Sequence, residues 1–169
     1  MNDVDVLDRR YIFFTDSDWL YPRKHFMASL LRADARGRSI FYFLNLLEIQ
    51  LIFFRLIRLD LESGKLRILD DQLAFPNGVQ LSADKKSVLV CETSLARVIR
   101  HSIGGSNDAV GGREIFAANL PGIPDNIRLT STGNYWIAIA TIRHIGKPSL
   151  LDRLWNWPRL RALLAVRID

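Results

Sequence analysis

The sequence is poor in the residues that build many catalytic, metal and redox centres. Its 169 residues include one cysteine, Cys91, and three histidines, so no internal disulfide can form and no histidine or cysteine metal spacing is present. The G-x-S-x-G turn of α/β hydrolases, the HExxH helix of zinc proteases and the G-x-x-x-x-G-K phosphate loop are also missing. These absences exclude those three classes of site.

Charge is not concentrated in any segment. Lys and Arg number 23 against 18 Asp and Glu, a net charge of +5, but the basic residues are scattered and no basic cluster is flanked by stacking aromatic residues. The sequence therefore predicts no nucleic-acid partner. The segment from Met1 to Arg10 is acidic and polar, unlike a signal peptide. If an amino-terminal part were missing, this would say nothing about the location of the protein.

The main positive feature is a repeat. Phe75–Thr93 aligns without a gap on Ile123–Thr141, an offset of 48 residues. A repeat of roughly 40–50 residues with short strands and tight turns is typical of the blades of a β-propeller. The matched pairs are Pro76 and Pro124, Asn77 and Asp125, Val79 and Ile127, and Thr93 and Thr141.

A third copy of one strand extends the repeat. Tyr11–Ser17 aligns with Ser87–Thr93, which places Ser17 on Thr93. Alternating residues in Leu56–Asp60 and an apolar Leu66–Leu69 predict a hairpin between these copies. Six blades would need about 270 residues. The sequence therefore predicts an all-β fold, an incomplete six-bladed propeller of about three blades.

Three segments do not fit a plain blade. Helical spacing between Trp19 and Ala33 predicts an inserted helix. Residues 39–54 are strongly apolar without Gly, Pro, Lys or Arg, and we interpret them as an aberrant insert, a translated intron. A hydrophobic edge strand or a buried helix remain the alternatives. Residues 149–167 predict an amphipathic helix, kinked at Pro158. It either packs over the end of the propeller or lies on a membrane surface.

Asn77 and Asp125 are the candidate metal ligands. Each follows a proline and precedes an apolar strand, and equivalent positions in successive blades converge on the propeller axis. Calcium takes six to eight oxygen ligands, including amide and carboxylate oxygens. Pro-Asn-Gly and Pro-Asp-Asn are also ordinary turn sequences, so a purely structural role stays open.

The other chemistry-bearing residues favour structural roles. Asp16 and Glu92 end equivalent strands beside a hydroxyl residue. Such a carboxylate could transfer protons if its pKa were raised, but a hydrogen bond within the blade is the favoured interpretation. Cys91 is predicted to be buried and inert. Single histidines without a nucleophile partner are usually structural; they are His25, His101 and His144.

The two repeat copies, together with Tyr11–Ser17, resemble the strictosidine synthase-like family, which takes in the adipocyte plasma membrane-associated proteins. The resemblance covers roughly residues 11–145. It implies a six-bladed propeller of the calcium-dependent phosphotriesterase group, in which the positions of Asn77 and Asp125 ligate a catalytic Ca²⁺. It also implies a membrane-associated parent protein, at the endoplasmic reticulum or plasma membrane, facing the lumen or the extracellular side.

The activity implied by this resemblance is metal-assisted hydrolysis of a small-molecule ester or lactone, of the arylesterase type. The alternatives are a strictosidine synthase-type carbon–nitrogen lyase and a non-catalytic, membrane-anchored propeller scaffold. Strictosidine synthase itself, by resemblance, lacks the aspartate at the position of Asp125 and uses a glutamate in a later blade. The 169 residues alone are expected to be inactive and, through open blade edges, to aggregate.

Overall fold

The computed structural model describes residues 1–17, 54–103, 112–144, 146–148 and 150–154, with residues 157, 160 and 164. In these residues ten strands form three antiparallel sheets. The first sheet contains β1 (Val4–Leu7), β2 (Tyr11–Asp16), β3 (Arg55–Asp60) and β4 (Leu66–Asp70). The second contains β5 (Pro76–Leu81), β6 (Ser87–Glu92), β7 (Arg97–Ser102) and β8 (Arg113–Ala117). The third contains β9 (Gly122–Leu129) and β10 (Tyr135–Ile142).

Each sheet is a simple meander in which neighbours along the chain are neighbours in space. Such four-stranded units are the blades of propellers, so the architecture agrees with the predicted all-β partial propeller. The predicted strands and the hairpin of β3 and β4 are confirmed. Strand β1 was not predicted. The predicted helix between residues 19 and 33, and residues 39–53 of the predicted insert, lie outside the described residues.

The repeat is visible in the strand register, with one correction to the gapless alignment. In both copies a β-bulge follows the proline, because two residues of one strand lie opposite a single residue of its partner. In the first copy Pro76 pairs with Glu92 and Val79 with Val90. In the second copy Pro124 pairs with Ile139 and Ile127 with Ile137. The β9–β10 hairpin is one residue shorter than the β5–β6 hairpin. A second irregularity between Ile139 and Thr141 restores the 48-residue offset between the copies. The two ends of the repeat therefore match, although the strand pairing between them is shifted by one residue.

Buried aliphatic residues fill the two spaces between the sheets. Between the first and second sheets, Phe13 and Leu56 pack with Val79, Val88 and Val90 in one buried cluster. Between the second and third sheets a further cluster joins Leu89, Cys91, Val98 and Ile127. Because side chains alternate along a strand, the second sheet is covered on both faces, which explains why β6 is buried at every residue.

Strands β1, β5 and β9 lie side by side, and acidic and amide side chains tie them together. The Asp3 carboxylate accepts the Val79 N–H at 2.9 Å and two hydrogen bonds from the Arg128 guanidinium at 2.7 and 2.9 Å. Asp5 accepts the Leu81 N–H at 2.7 Å. One carboxylate thus joins all three sheets.

The described part of the predicted carboxyl-terminal helix is the short α1 (Leu150–Arg153). Next to it Leu154 is 7% exposed and packs against Phe75 and Ile123, and Arg143 donates to Asp152 at 2.6 Å. These contacts place residues 150–154 on the sheets, and most of the predicted helix beyond them lies outside the described residues.

A buried polar cluster lies between the first and second sheets. His101 is 1% exposed, and its Nε2 is 3.3 Å from Oδ2 of Asp70, which also contacts Arg113 at 3.4 Å. Burial lowers the pKa of His101 and Arg113 lowers it further, while Asp70 opposes the shift. The neutral imidazole is therefore the form that the fold favours.

We expect Asp3→Asn to lower the free energy of unfolding at pH 7 by about 2 kcal/mol, because hydrogen bonds to a charged group are lost. Burial raises the pKa of Asp3, but hydrogen bonds from Arg128, Val79 and Val4 lower it more, so that the pKa stays below 3.8. This stabilisation is present above the unfolded-state pKa and is lost as pH falls through the folded-state pKa.

Urea unfolding of the wild type and of Asp3→Asn at pH 7 and pH 3 tests this. The difference between their free energies of unfolding should be smaller at pH 3. The control is Asp8→Asn, which removes a pair with Lys85 whose two side chains are 66% and 60% exposed and should have a smaller effect. An Asp3→Asn protein as stable as the wild type at pH 7 would contradict the role assigned to Asp3.

We expect His101→Leu to remove part of the acid sensitivity of the fold. A histidine with a lowered folded-state pKa destabilises the protein as pH falls below its unfolded value of about 6.5. The wild type should therefore lose up to about 1.4 kcal/mol per pH unit relative to the variant between pH 6.5 and 5.5. Thermal melts across this range measure it, and the exposed His144→Gln serves as the control. A parallel decline in wild type and His101→Leu would refute the assignment.

Candidate functional site

The two proline motifs lie against each other where β5 and β9 meet. A side-chain carbon at Gly78 would lie 2.7 Å from the carbonyl oxygen of Asp125, the Cα of Asn126 and the nitrogen of Ile127. No L-residue with a side chain fits this space. The glycine after Asn77 therefore lets the backbones of the two candidate ligands approach closely, a reason for the Pro-Asn-Gly sequence beyond turn formation.

The side chain of Asn77 is buried, and its amide oxygen is unpaired among the described residues. Asn77 is 8% exposed, and within the part of the chain that the structure describes its Oδ1 has no hydrogen-bond partner. Buried polar atoms are nearly always paired, so an orphaned one calls for a specific reason. An amide oxygen held in this way is a suitable donor for a cation or for a polar ligand group.

Hydroxyl groups of the preceding sheet hold both motifs by their carbonyls. Thr15 Oγ1 donates to the Asn77 carbonyl at 2.6 Å, and Ser17 Oγ donates to the carbonyl of Pro76. Thr93 Oγ1 donates to the carbonyl of Pro124 at 2.8 Å. Ser17 and Thr93 thus make the same contact one sheet apart, which agrees with their predicted equivalence.

Asp125 is half-buried on β9, and its negative charge contributes to the pKa of the Cys91 thiol. Burial raises the pKa of the Cys91 thiol to about 12, with Asp125 and Asp3 adding to the shift. The thiol is therefore protonated at neutral pH and is a poor nucleophile and a poor metal ligand. Cys91 is buried, as the sequence predicts.

The strand register reveals a third oxygen donor that the sequence did not predict. Val4 pairs with Phe14 as Val79 pairs with Val90, and the residue two positions before the valine is Asn2 in one sheet and Asn77 in the other. Asn2 is exposed and its Nδ2 donates to Ser17 Oγ at 2.8 Å. In the sequence, the sign of this donor is the pair Asn2-Asp3 directly before the alternating residues Val4–Leu7. The pair can be interpreted in this way only when β1 is known to be a strand.

The other candidate carboxylates have structural partners. Glu92 is 0% exposed and accepts hydrogen bonds from the Ala74 N–H at 2.9 Å and from Arg97. Asp16 ends β2, where it pairs in the strand register with Arg55 of β3. Neither carboxylate is placed with Asn77 in the observed contacts, and both fit the favoured structural interpretation.

Clusters of acidic, histidine or cysteine ligands do not support a second site. Among the described residues no group of three or more His, Cys, Asp or Glu side chains could hold a metal ion. His101 lies between the first two sheets and His144 is exposed, while His25 lies outside the described ranges. The candidate site is therefore the row of oxygen donors on the inner strands. Its members are Asn2, Asn77 and Asp125.

Comparison of sequences gives a consistent family assignment. Residues 41–106 match the strictosidine synthase family model. The chain is 38% identical over 165 residues to the adipocyte plasma membrane-associated protein of Danio rerio and 36% identical to that of Homo sapiens. It is 35% identical over 155 residues to a strictosidine synthase-like protein of Arabidopsis thaliana. The alignments with these two animal proteins include 97% of this chain but only 35% of the length of each relative.

The animal relatives are named for association with the plasma membrane. In the described part of this chain, no helix has the length and apolar character needed to cross a bilayer.

Comparison of structures gives the same fold. A gluconolactonase from Xanthomonas campestris superimposes with a TM-score of 0.56 at 23% identity, covering 82% of this chain and 40% of that one. A luciferin-regenerating enzyme superimposes with a TM-score of 0.54 at 17% identity, covering 82% and 38%. These likenesses confirm the partial propeller fold. Together with the sequence matches they show that this partial propeller is similar, over the part of those proteins that it spans, to the strictosidine synthase-like proteins.

Proposed function

We propose that this chain contributes the oxygen-donor side of a calcium-dependent site that hydrolyses small-molecule esters or lactones. The observation that carries the proposal is the buried Oδ1 of Asn77, which has no partner among the described residues. The motif that carries Asp125 lies next to the motif that carries Asn77, because the backbones approach closely at Gly78.

The chemistry of the donors fits calcium. Ca²⁺ prefers amide, carbonyl and carboxylate oxygens and takes six to eight of them, and Asn2, Asn77 and Asp125 offer only such atoms. Cys91 is buried in the cluster with Leu89, Val98 and Ile127, so it offers these donors no soft ligand that would favour zinc. Three residues do not fill a calcium shell, so the other oxygen ligands have to come from water, substrate or residues outside the described ranges.

A bound Ca²⁺ would act as a Lewis acid that polarises the carbonyl oxygen of the substrate. The chain's own residues serve to fix the donors. Thr15 and Thr93 hold the carbonyls of Asn77 and Pro124, so the two motifs are set before any ligand arrives. The Asp125 carboxylate supplies negative charge at the site.

Hydrolysis is favoured over a carbon–nitrogen lyase reaction by Asp125. The resemblance implies that strictosidine synthase lacks an aspartate at this position, whereas metal-using hydrolases of the same group retain it. The structural likeness to a gluconolactonase agrees with this choice. The animal relatives are named for the plasma membrane, and our proposal extends this to the present protein: a location at the plasma membrane or an endomembrane, with the propeller on the extracellular or lumenal side.

We expect the wild-type chain to bind Ca²⁺ weakly, with Kd on the order of 10⁻⁴–10⁻³ M as in sites with few protein ligands. The double variant Asn77→Ala, Asp125→Ala should bind at least tenfold more weakly. Isothermal titration and competition with luminescent Tb³⁺ measure this. The matched control is Asp71→Asn with Asn134→Ala, both on exposed turns. Equal affinity of the site variant and the control would exclude the proposed donors.

Activity is tested in a chimera in which residues 1–144 replace the aligned part of the Danio rerio relative. Hydrolysis of phenyl acetate and of a δ-lactone should require Ca²⁺, disappear with chelator, and fall at least a hundredfold in the double variant. Metal binding without hydrolysis would instead favour the scaffold alternative, and hydrolysis that survives chelator would overturn the calcium proposal.

We expect Gly78→Ala to destabilise the fold by about 1–3 kcal/mol through overpacking, because the added methyl group meets backbone rather than a flexible side chain. If the two motifs form one site, the Ca²⁺ affinity of the folded variant should also fall. Gly112→Ala is the control, since no atom of the described residues, apart from its chain neighbours, lies within 4 Å of the added carbon there. Thermal melts and titration measure the two effects, and a Gly78→Ala protein equal to wild type in both would refute the contact.

A further inference from the structure

Arg128 connects the strands that carry the two outer oxygen donors. It follows Asp125 by three residues on β9, and its partner Asp3 directly follows Asn2. Strand β5, which carries Asn77, contacts both β1 and β9 and lies between them. The contact between Arg128 and Asp3 therefore joins the strands of the two outer donors across the strand of the middle one.

The guanidinium of Arg128 binds both oxygens of one carboxylate. Nη1 donates to Oδ2 of Asp3 at 2.7 Å, and Nη2 donates to Oδ1 at 2.9 Å. Two hydrogen bonds of this kind fix orientation as well as distance, and the single ammonium group of a lysine cannot reproduce them. The Arg128 side chain is 55% exposed and that of Asp3 is 9% exposed. The contribution of Arg128 therefore comes from this pair more than from apolar packing.

A second polar contact joins the same three strands further from the donors. Gln80 of β5 donates from Nε2 to Oδ2 of Asp5 on β1 at 2.6 Å, and its Oε1 accepts the Leu129 N–H of β9 at 3.0 Å. Asp3 is adjacent to Asn2, whereas Asp5 is three residues away from it. Of the two contacts, the one made by Arg128 is thus the nearer to the candidate site.

We propose that Arg128 is a positioning residue of the calcium site. Its two-point contact with Asp3 sets the separation of Asn2 from Asp125, and with it the preference of the site for Ca²⁺ over the smaller Mg²⁺. The inference rests on the proposed function. Selectivity between these ions depends on the size and flexibility of the oxygen cage, and groups that hold the ligands in place typically change metal affinity by about 10–100-fold.

Arg128→Lys tests this, because it keeps the positive charge and removes the two-point contact. Isothermal titration should show a Ca²⁺ affinity about tenfold weaker than that of the wild type. The Mg²⁺ affinity should fall less, so the ratio of the Mg²⁺ to the Ca²⁺ dissociation constant should decrease. Asp3→Asn should weaken Ca²⁺ binding to a similar extent, and the double variant should lose no more than either single variant, since both changes break one contact.

Arg10→Lys is the matched control. Arg10 also binds both oxygens of one aspartate, with Nε and Nη2 at 3.3 and 3.1 Å from Oδ1 and Oδ2 of Asp60, but it lies in the turn between β1 and β2, away from the donors. This variant should leave both ion affinities unchanged. The comparison separates positioning of the donors from the general loss of an arginine–aspartate pair.

A measurement without metal reports on the strands directly. Spin labels on Asp8→Cys and Thr132→Cys, at exposed turns next to β1 and β9, give a distance distribution by pulsed electron spin resonance. The thiol of Cys91 is buried and should stay unlabelled. The distribution should be broader in Arg128→Lys than in the wild type, because the outer strands are held less firmly.

Circular dichroism and thermal melts establish that the variants are folded at the assay temperature. Wild-type affinity or ion preference in Arg128→Lys, additive losses in the double variant, an equal loss in Arg10→Lys, or an unchanged distance distribution would each overturn the positioning role and leave the calcium proposal standing. A wild type that binds no Ca²⁺ would instead refute the calcium site, and the role of Arg128 in it.

Discussion

The structure depends on how the inner strands of successive sheets are joined. Asp3 binds the backbone of β5 and the guanidinium of Arg128 on β9 at once, and Gly78 allows β5 and β9 to touch without a side chain between them. Aliphatic clusters supply the bulk of the packing, but apolar contacts carry no direction. The directed contacts at the inner strands set the register between sheets and therefore the relative positions of Asn2, Asn77 and Asp125.

The candidate site and the sheet packing use the same residues in different ways. Thr15 and Thr93 stabilise the contact between sheets and at the same time fix the backbones that carry Asn77 and Asp125. The carbonyl of Asn77 is used by the fold, while its side-chain oxygen is left without a partner among the described residues. The calcium proposal rests on this difference: the Asn77 carbonyl is paired within the fold, whereas the unpaired side-chain oxygen remains available to coordinate a cation.

Much of this could be predicted from the sequence, since a repeat with alternating apolar residues dictates strands and their faces. The strands around Tyr11–Ser17, Pro76 and Pro124 are where the sequence places them. β1 was not predicted because Asp5 lies within its four residues and Asp3 and Asp8 flank them, and this acidic character hides the alternation of Val4 and Val6. Asn2 escaped for the same reason. The one-residue difference between the two hairpins was also invisible, because a compensating bulge restores the alignment at Thr141.

The sequence by itself determined the class of fold, the family resemblance and the two proline motifs, because these follow from local patterns of apolar, turn-forming and oxygen-bearing residues. Only the tertiary structure decided that the motifs of β5 and β9 touch, that Asn77 is buried with an unpaired oxygen, and that Asp3 meets Arg128 across 125 residues of sequence. Those facts arise from the packing of one sheet on the next. The residues involved are far apart along the chain, and no local pattern encodes which of them meet.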